Sequence, residues 1–178
     1  MRRFASSRPS STKFIVFVPY AAHSFPEFFA LMTRKTTQLY EAVLSKLHTL
    51  QPAFRPTHVM ADFEEAPARA VRQVFGNDVM VSGCWFHYAQ VLVKRLREIG
   101  LTDSYNNHQE TQKIFRAFLA LPLLPMADVR PAFDDDVKSL LMDDSPRKDL
   151  LQKLLRYVEC QWITTSHMSI TKSTVGPQ

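Results

Sequence analysis

Glycine is scarce in this chain, with 4 in 178 residues, and no G-x-x-x-x-G-K pattern occurs among them. This argues against a Gly-rich phosphate loop, and no small-molecule substrate is expected. Cysteine is scarcer still. Cys84 and Cys160 cannot staple a chain of this length into a disulfide framework, which points to a reducing, intracellular compartment. No run comes near the roughly 18 consecutive apolar residues that a membrane span requires, so no membrane partner is expected. Acid is missing from both ends: no Asp or Glu precedes Glu27, and none follows Glu159.

What is present is apolar and basic. A hydrophobic content of 46% is enough for one domain with a sizeable core. The net charge of +5 and pI near 9.4 suit a polyanionic partner. Residues 1–13 carry Arg2, Arg3, Arg8 and Lys13 with four serines, a composition that mimics a targeting segment. The following apolar run, Phe14 to Val18, is shorter than the roughly 7–15 residues of a secretory core. Residues 1–13 are therefore expected to be a disordered basic tail, and 166–178 a second disordered tail.

Along the chain, residues 14–18 and the segment Phe25 to Met32 predict strands, the second with Pro26 at its start. Thr36 or Thr37 caps a helix whose stripe is Leu39, Tyr40, Val43, Leu44, Leu47 and Leu50, stopped by Pro52. Residues 57–61, 66–75 and 79–82 then read as strand, helix, strand. From Cys84 the pattern is helical. Trp85, Ala89, Leu92, Val93, Leu96 and Ile99 predict one face of a helix that Gly100 ends. Ile114, Phe115, Phe118, Leu119 and Leu121 predict a second, closed by Pro122 and Pro125; Val129–Met142 and Leu150–Val158 predict two more. The clusters Asp134-Asp135-Asp136 and Asp143-Asp144 read as solvated helix ends or loop.

The stretch from Thr57 to Gln90 places one acid, Asp62, just after the apolar Val59-Met60-Ala61. A strand's carboxyl end is where an open α/β sheet presents side chains to ligands. The same position also caps a following turn in many non-enzymes. Glu64, Glu65 and Pro67 fit an acidic, proline-started first turn. Cys84 and His87 lie three apart and could supply two zinc ligands. A tetrahedron would need Cys160 with His167, or His108, at spacings that match no zinc pattern, so a buried cysteine and a hydrogen-bonded histidine are expected instead. Arg69 and Arg72, with Lys94, Arg95 and Arg97, could follow a phosphate backbone, or simply keep helix faces soluble. Phe28, Phe29, Trp85, Phe86, Phe115, Phe118 and Trp162 fall at core-facing periods and are expected to be buried.

Taken together, ALMTRKTTQLYEAVL, ADFEEA, GCWFHYAQ, a helix ending in IGL, FLALPLLP and YVECQW resemble the transposase domain of Mutator-like elements, over roughly residues 25–163. That resemblance implies an α/β chain: a partial ribonuclease-H-like fold, short strands first, followed by an all-helical insertion. It implies a truncated domain over 14–165, strand-containing to 83 and helical over 84–165. The family's function is DNA transposition, in which two divalent metals, Mg²⁺ or Mn²⁺, held by two aspartates and a glutamate, promote in-line attack on a phosphodiester. Asp62 falls on the second aspartate, a catalytic and metal-binding position, and Cys84 and His87 fall on the family's C-x-x-H motif.

The departures are as informative. The first aspartate, in an Asp-Gly-Thr-Phe-like context, is replaced by the acid-free residues 1–20, and no acid follows Trp162 where the final glutamate belongs. Asp62 is therefore expected to be vestigial and this chain not catalytically competent. A DNA partner, pairing with a full-length transposase and a nuclear location are implied by the resemblance. Three alternatives stay open: a domesticated DNA-binding or protein-interaction module, an active transposase whose gene model is clipped, or a chain whose unpaired apolar strand edges prevent stable folding.

Overall fold

The computed structural model describes residues 11–141 and 145–164. The two expected tails, apart from residues 11–13, and the Asp143-Asp144 cluster lie outside the described residues. The chain is mixed α/β, short strands first and helices afterwards. It divides into two compact units, one formed by the described residues up to Val59 with Glu64–Met80, the other by Met60–Phe63 with the residues from Val81 on.

In the first unit, Thr12–Tyr20 (β1) and His23–Met32 (β2) form an antiparallel hairpin rich in β-branched and aromatic residues. Val16 faces Phe28 while Phe17 faces Pro26, so Glu27 is the extra residue of a bulge. Pro26 is thus well inside the strand rather than at its start, where the bulge spares it from donating to the ladder. One face carries Phe14, edge-on to Tyr40 at 5.2 Å, and the buried Met32. The opposite face leaves Phe29 and Leu31 in solvent.

Thr36 caps Thr37–Leu50 (α1), its Oγ1 accepting from the Leu39 amide at 3.3 Å. Tyr40, Leu44 and Leu47 form the buried stripe; Leu50, expected in it, is exposed. α1 packs on Glu65–Phe75 (α2), where His48 and Phe54 each meet the Phe75 ring at 5.8 Å. His58–Ala61 (β3) and Met80–Gly83 (β4) pair in a second two-stranded sheet. The Met80 amide donates to Thr57 at 3.0 Å and the Cys84 amide to Ala61 at 2.9 Å. Both bonds advance in the same direction, so the pair is parallel, with α2 as its crossover.

The second unit is helical: Trp85–Ile99 (α3), Thr102–Asn107 (α4), Gln109–Ala120 (α5), Met126–Pro131 (α6) and Lys148–Val158 (α7). Gly100 ends α3 at φ 85°, and the fully buried Leu101 donates its amide back to Leu96 at 3.0 Å, a Schellman closure. α4 has too polar a sequence to announce itself. After α6 the backbone widens into π turns over Ala132–Val137 and tightens over Lys138–Leu140. Pro131 sits inside this run and lacks the amide an α-turn needs there. Val129, Phe133 and Val137 nonetheless keep one buried face.

Asp134 corrects the expectation of a solvated helix end or loop. It lies mid-run between Arg130 at 2.5 Å and Lys138 at 2.6 Å, and both cations also reach Glu159, at 3.0 and 3.4 Å. The face that α3 turns inward is the expected one in part: Leu92 and Leu96 are inside, with Val93 and Ile99 packed against the core. Tyr88, Leu92 and Leu96 are buried, and Trp85 is 39% exposed. The Tyr88 hydroxyl donates to the Phe118 carbonyl and the Trp85 Nε1 to the Leu119 carbonyl, each at 2.9 Å. These are carbonyls at the end of α5 that the helix leaves without partners of its own.

Burial, with the neighbouring Tyr157, pushes the Tyr88 phenol far above the usual tyrosine range, so it remains a donor wherever the fold survives. Tyr88→Phe leaves the Phe118 carbonyl buried and unpaired, and costs about 1–3 kcal/mol in a urea melt. The Asp134 carboxyl is held below the usual carboxylate range, first by the Lys138 hydrogen bond and then by that of Arg130. A lowered folded value means stability present above the unfolded value of about 3.9 and lost as the pH falls through the folded one. Thermal melts of Asp134→Asn therefore lie below wild type at pH 7 and converge with it below about pH 3.9.

Candidate functional site

Because β3 and β4 are parallel, their carboxyl ends emerge at one edge. Asp62 follows β3 and Cys84 follows β4, so the structure brings Asp62 and the C-x-x-H motif together. Both residues are half-buried. Cys84 is the N-cap of α3, with φ −85° and ψ 121°, and its side chain makes no capping bond. His87, one turn on, is exposed rather than held in the interior, its ring edge-on to Phe86 at 5.9 Å.

Three aromatic rings hold this edge in place. Phe63, next to Asp62, meets Trp162 at 4.6 Å and 81°. Trp162 in turn meets Tyr88 at 4.8 Å and 90°. Edge-to-face contacts at these separations satisfy the ring quadrupoles and bury large areas. The Phe63 ring lies so close over Gly83 that a Cβ at that position would overlap it. ADFEEA, GCWFHYAQ and YVECQW, far apart in sequence, thus meet at one cluster. Phe63 and Tyr88 are the residues that sequence periodicity missed; Phe63 sits in a turn and has no period to betray it.

The donor atoms here do not fit a two-metal centre. Mg²⁺ and Mn²⁺ favour oxygen ligands, whereas beside Asp62 the motif supplies sulfur and nitrogen. Glu64 is engaged by Lys35 at 2.6 Å and Tyr40 at 3.5 Å, and Glu65 by Arg69. Among the described residues, no three His, Cys, Asp or Glu converge as metal ligands. Cys160, in the turns after α7, is exposed, His108 separates α4 from α5, and His167 lies outside the described residues.

The basic residues separate into engaged and outward-facing. Arg69 pairs with Glu65 four residues earlier, and Arg72 is exposed in the last turn of α2. On α3, Arg95 lies over the Tyr157 ring at 4.9 Å and donates to Glu98 at 3.3 Å, so its guanidinium is committed to the protein. Lys94 reaches Glu98 only at 4.0 Å, and Arg97 is exposed. Of the aromatics expected inside, Phe115, Phe118 and Trp162 are buried. Phe29, Trp85 and Phe86 are exposed, at 65%, 39% and 59%.

No protein-family model, curated protein or solved structure matches this chain. Among the described residues, no helix is long and apolar enough to cross a membrane.

Gly83→Ala must displace the Phe63 ring from a packed cluster. It costs about 1–3 kcal/mol in a denaturant melt and alters the near-ultraviolet circular dichroism of the Phe63–Tyr88–Trp162 cluster. A substitution at Gly83 without either change would mean that the ring is not held there.

Proposed function

We propose that this chain is a transposon-derived protein, related to the middle of a Mutator-like transposase domain, that binds DNA without cutting it. The observation carrying this reading is the meeting of ADFEEA, GCWFHYAQ and YVECQW at the Phe63–Tyr88–Trp162 cluster. Words that resemble one family in sequence are also neighbours in space, with Asp62 and Cys84 at adjoining strand ends. The strand-then-helix order is compatible with a ribonuclease-H-like sheet carrying a helical insertion, and that finer fold is part of the proposal.

Chemistry in this family needs three carboxylates around two metals, and Asp62 is the one this sequence supplies. A lone carboxylate can take up a hydrated divalent ion weakly but cannot place an attacking and a leaving oxygen on two metals. Binding without cutting follows from Lys94, Arg97 and Arg72, which face solvent and would exchange counterions for phosphates. A nuclear location and pairing with a full-length transposase belong to the same reading.

Incubation of supercoiled plasmid with the protein in Mg²⁺ or Mn²⁺ is expected to give no nicking above buffer. Binding to a DNA duplex is expected to fall steeply with salt and to survive Asp62→Asn. Metal-dependent nicking that disappears in Asp62→Asn would restore the enzyme and overturn the non-catalytic part of the reading. Absence of DNA binding at low salt would overturn the binding part.

A further inference from the structure

Along its outward side, α3 carries a shallow groove of about 500 Å³ lined by Trp85, Phe86, Gln90, Val93, Lys94 and Arg97 together with Ala89. We infer that this groove is a binding platform for single-stranded nucleic acid, whose bases stack on Trp85 and Phe86 and whose phosphates run past Lys94 and Arg97. The inference deepens the DNA-binding reading, since it names the form of nucleic acid that this helix takes.

Three observations favour that occupant. Trp85 and Phe86 are adjacent, exposed aromatics, and the indole is fixed by its bond to the Leu119 carbonyl. A fixed aromatic plane stacks a base without an ordering cost and without sequence preference. The lining is also complementary in charge: it contains two cations and no acid. Lys94 keeps a side chain 78% exposed and only a 4.0 Å contact to Glu98. Finally, every lining residue belongs to one helix, which makes a shelf rather than a trench. A shelf of exposed aromatics flanked by two cations suits stacked bases and the phosphates that join them.

The spacing matches as well. Trp85 to Arg97 spans twelve helical steps, about 18 Å at 1.5 Å per residue, which is about five nucleotides at the ~3.4 Å spacing of a stacked strand. A duplex keeps its bases paired and stacked on one another, so it offers phosphates and groove edges but no free base face for Trp85 and Phe86.

The test is fluorescence anisotropy of the full chain with labelled dT12, U12 and a 12-base-pair duplex. Binding to dT12 or U12 is expected to exceed duplex binding, and the difference between dT12 and U12 decides between DNA and RNA. Phe86→Ala is expected to weaken single-strand binding about tenfold while leaving duplex binding within twofold. Lys94→Ala with Arg97→Ala is expected to reduce the slope of log K against log salt by about 1.4. Trp85→Phe, which keeps a ring but removes the indole, should abolish the strand-induced quenching of tryptophan emission, since the remaining Trp162 is buried. Single-strand affinity unchanged in folded Phe86→Ala overturns the inference. Preference for the duplex overturns it and leaves the DNA-binding reading standing. Failure to bind any of the three overturns both.

Discussion

Edge-to-face packing of Phe63, Trp162 and Tyr88 is the contact on which the rest of the helical unit depends. It ties the turn after β3 to α3 and to the turns that follow α7, reinforcing the β3–β4 pairing and the packing of α3 on α7. Large aromatics contribute here chiefly by the area they remove from water, with about 0.5–1.5 kcal/mol added per well-oriented pair. Among the described residues the indole nitrogen of Trp162 finds no hydrogen-bond acceptor, so geometry and burial alone keep the ring in place. Gly83 is the concession that makes room for the Phe63 ring. Around this centre the inward rows of α5, α6 and α7 complete one continuous core.

Polar bonds then finish what packing begins. Tyr88 is at once a core ring and the donor that satisfies an α5 carbonyl, and Trp85 does the second task from the surface. Arg95 shows the same economy: its charge is set over Tyr157 and against Glu98, and its stem covers apolar surface. The Arg130–Asp134–Lys138–Glu159 network lies across the widened π segment. There, regular α-helical bonding is interrupted, and ion pairs bridge successive turns on its surface.

Much of the order of elements was legible in the sequence, because it rests on periodicity and punctuation. Short apolar runs located β1 to β4, and Thr36, Gly100 and Pro122 mark boundaries through capping and missing amides. Face choice on α3 was legible only in part, since Leu92 and Leu96 were expected inside and Tyr88 was not. The helix has two apolar rows, Trp85-Ala89-Val93 and Tyr88-Leu92-Leu96, and only tertiary packing decides which turns inward. For the same reason Phe29 and Leu31 could not be told from core residues on a strand whose two faces are both apolar. At the candidate site, the strand-end position of Asp62 could be read from the apolar run before it. The aromatic cluster beside it could not, because Trp162 arrives from a distant segment and Phe63 has no period. Nor could the sequence show that Arg95 faces inward while Lys94 and Arg97 do not.

The Phe63–Trp162 contact joins residues about a hundred positions apart, and non-local contacts are the slow ones to form. During synthesis, β3 and its acid leave the ribosome long before Trp162 exists. The first unit has its hairpin and its α1–α2 pair available early, from neighbouring stretches of chain. The helical unit must wait for its last turns before its aromatic centre can close. Until then Tyr88, Leu92 and Leu96 can pack on α5 but lack the row of α7 that completes their core. A nascent chain that ends before Trp162 therefore leaves Phe63 and Tyr88 without the ring that joins them.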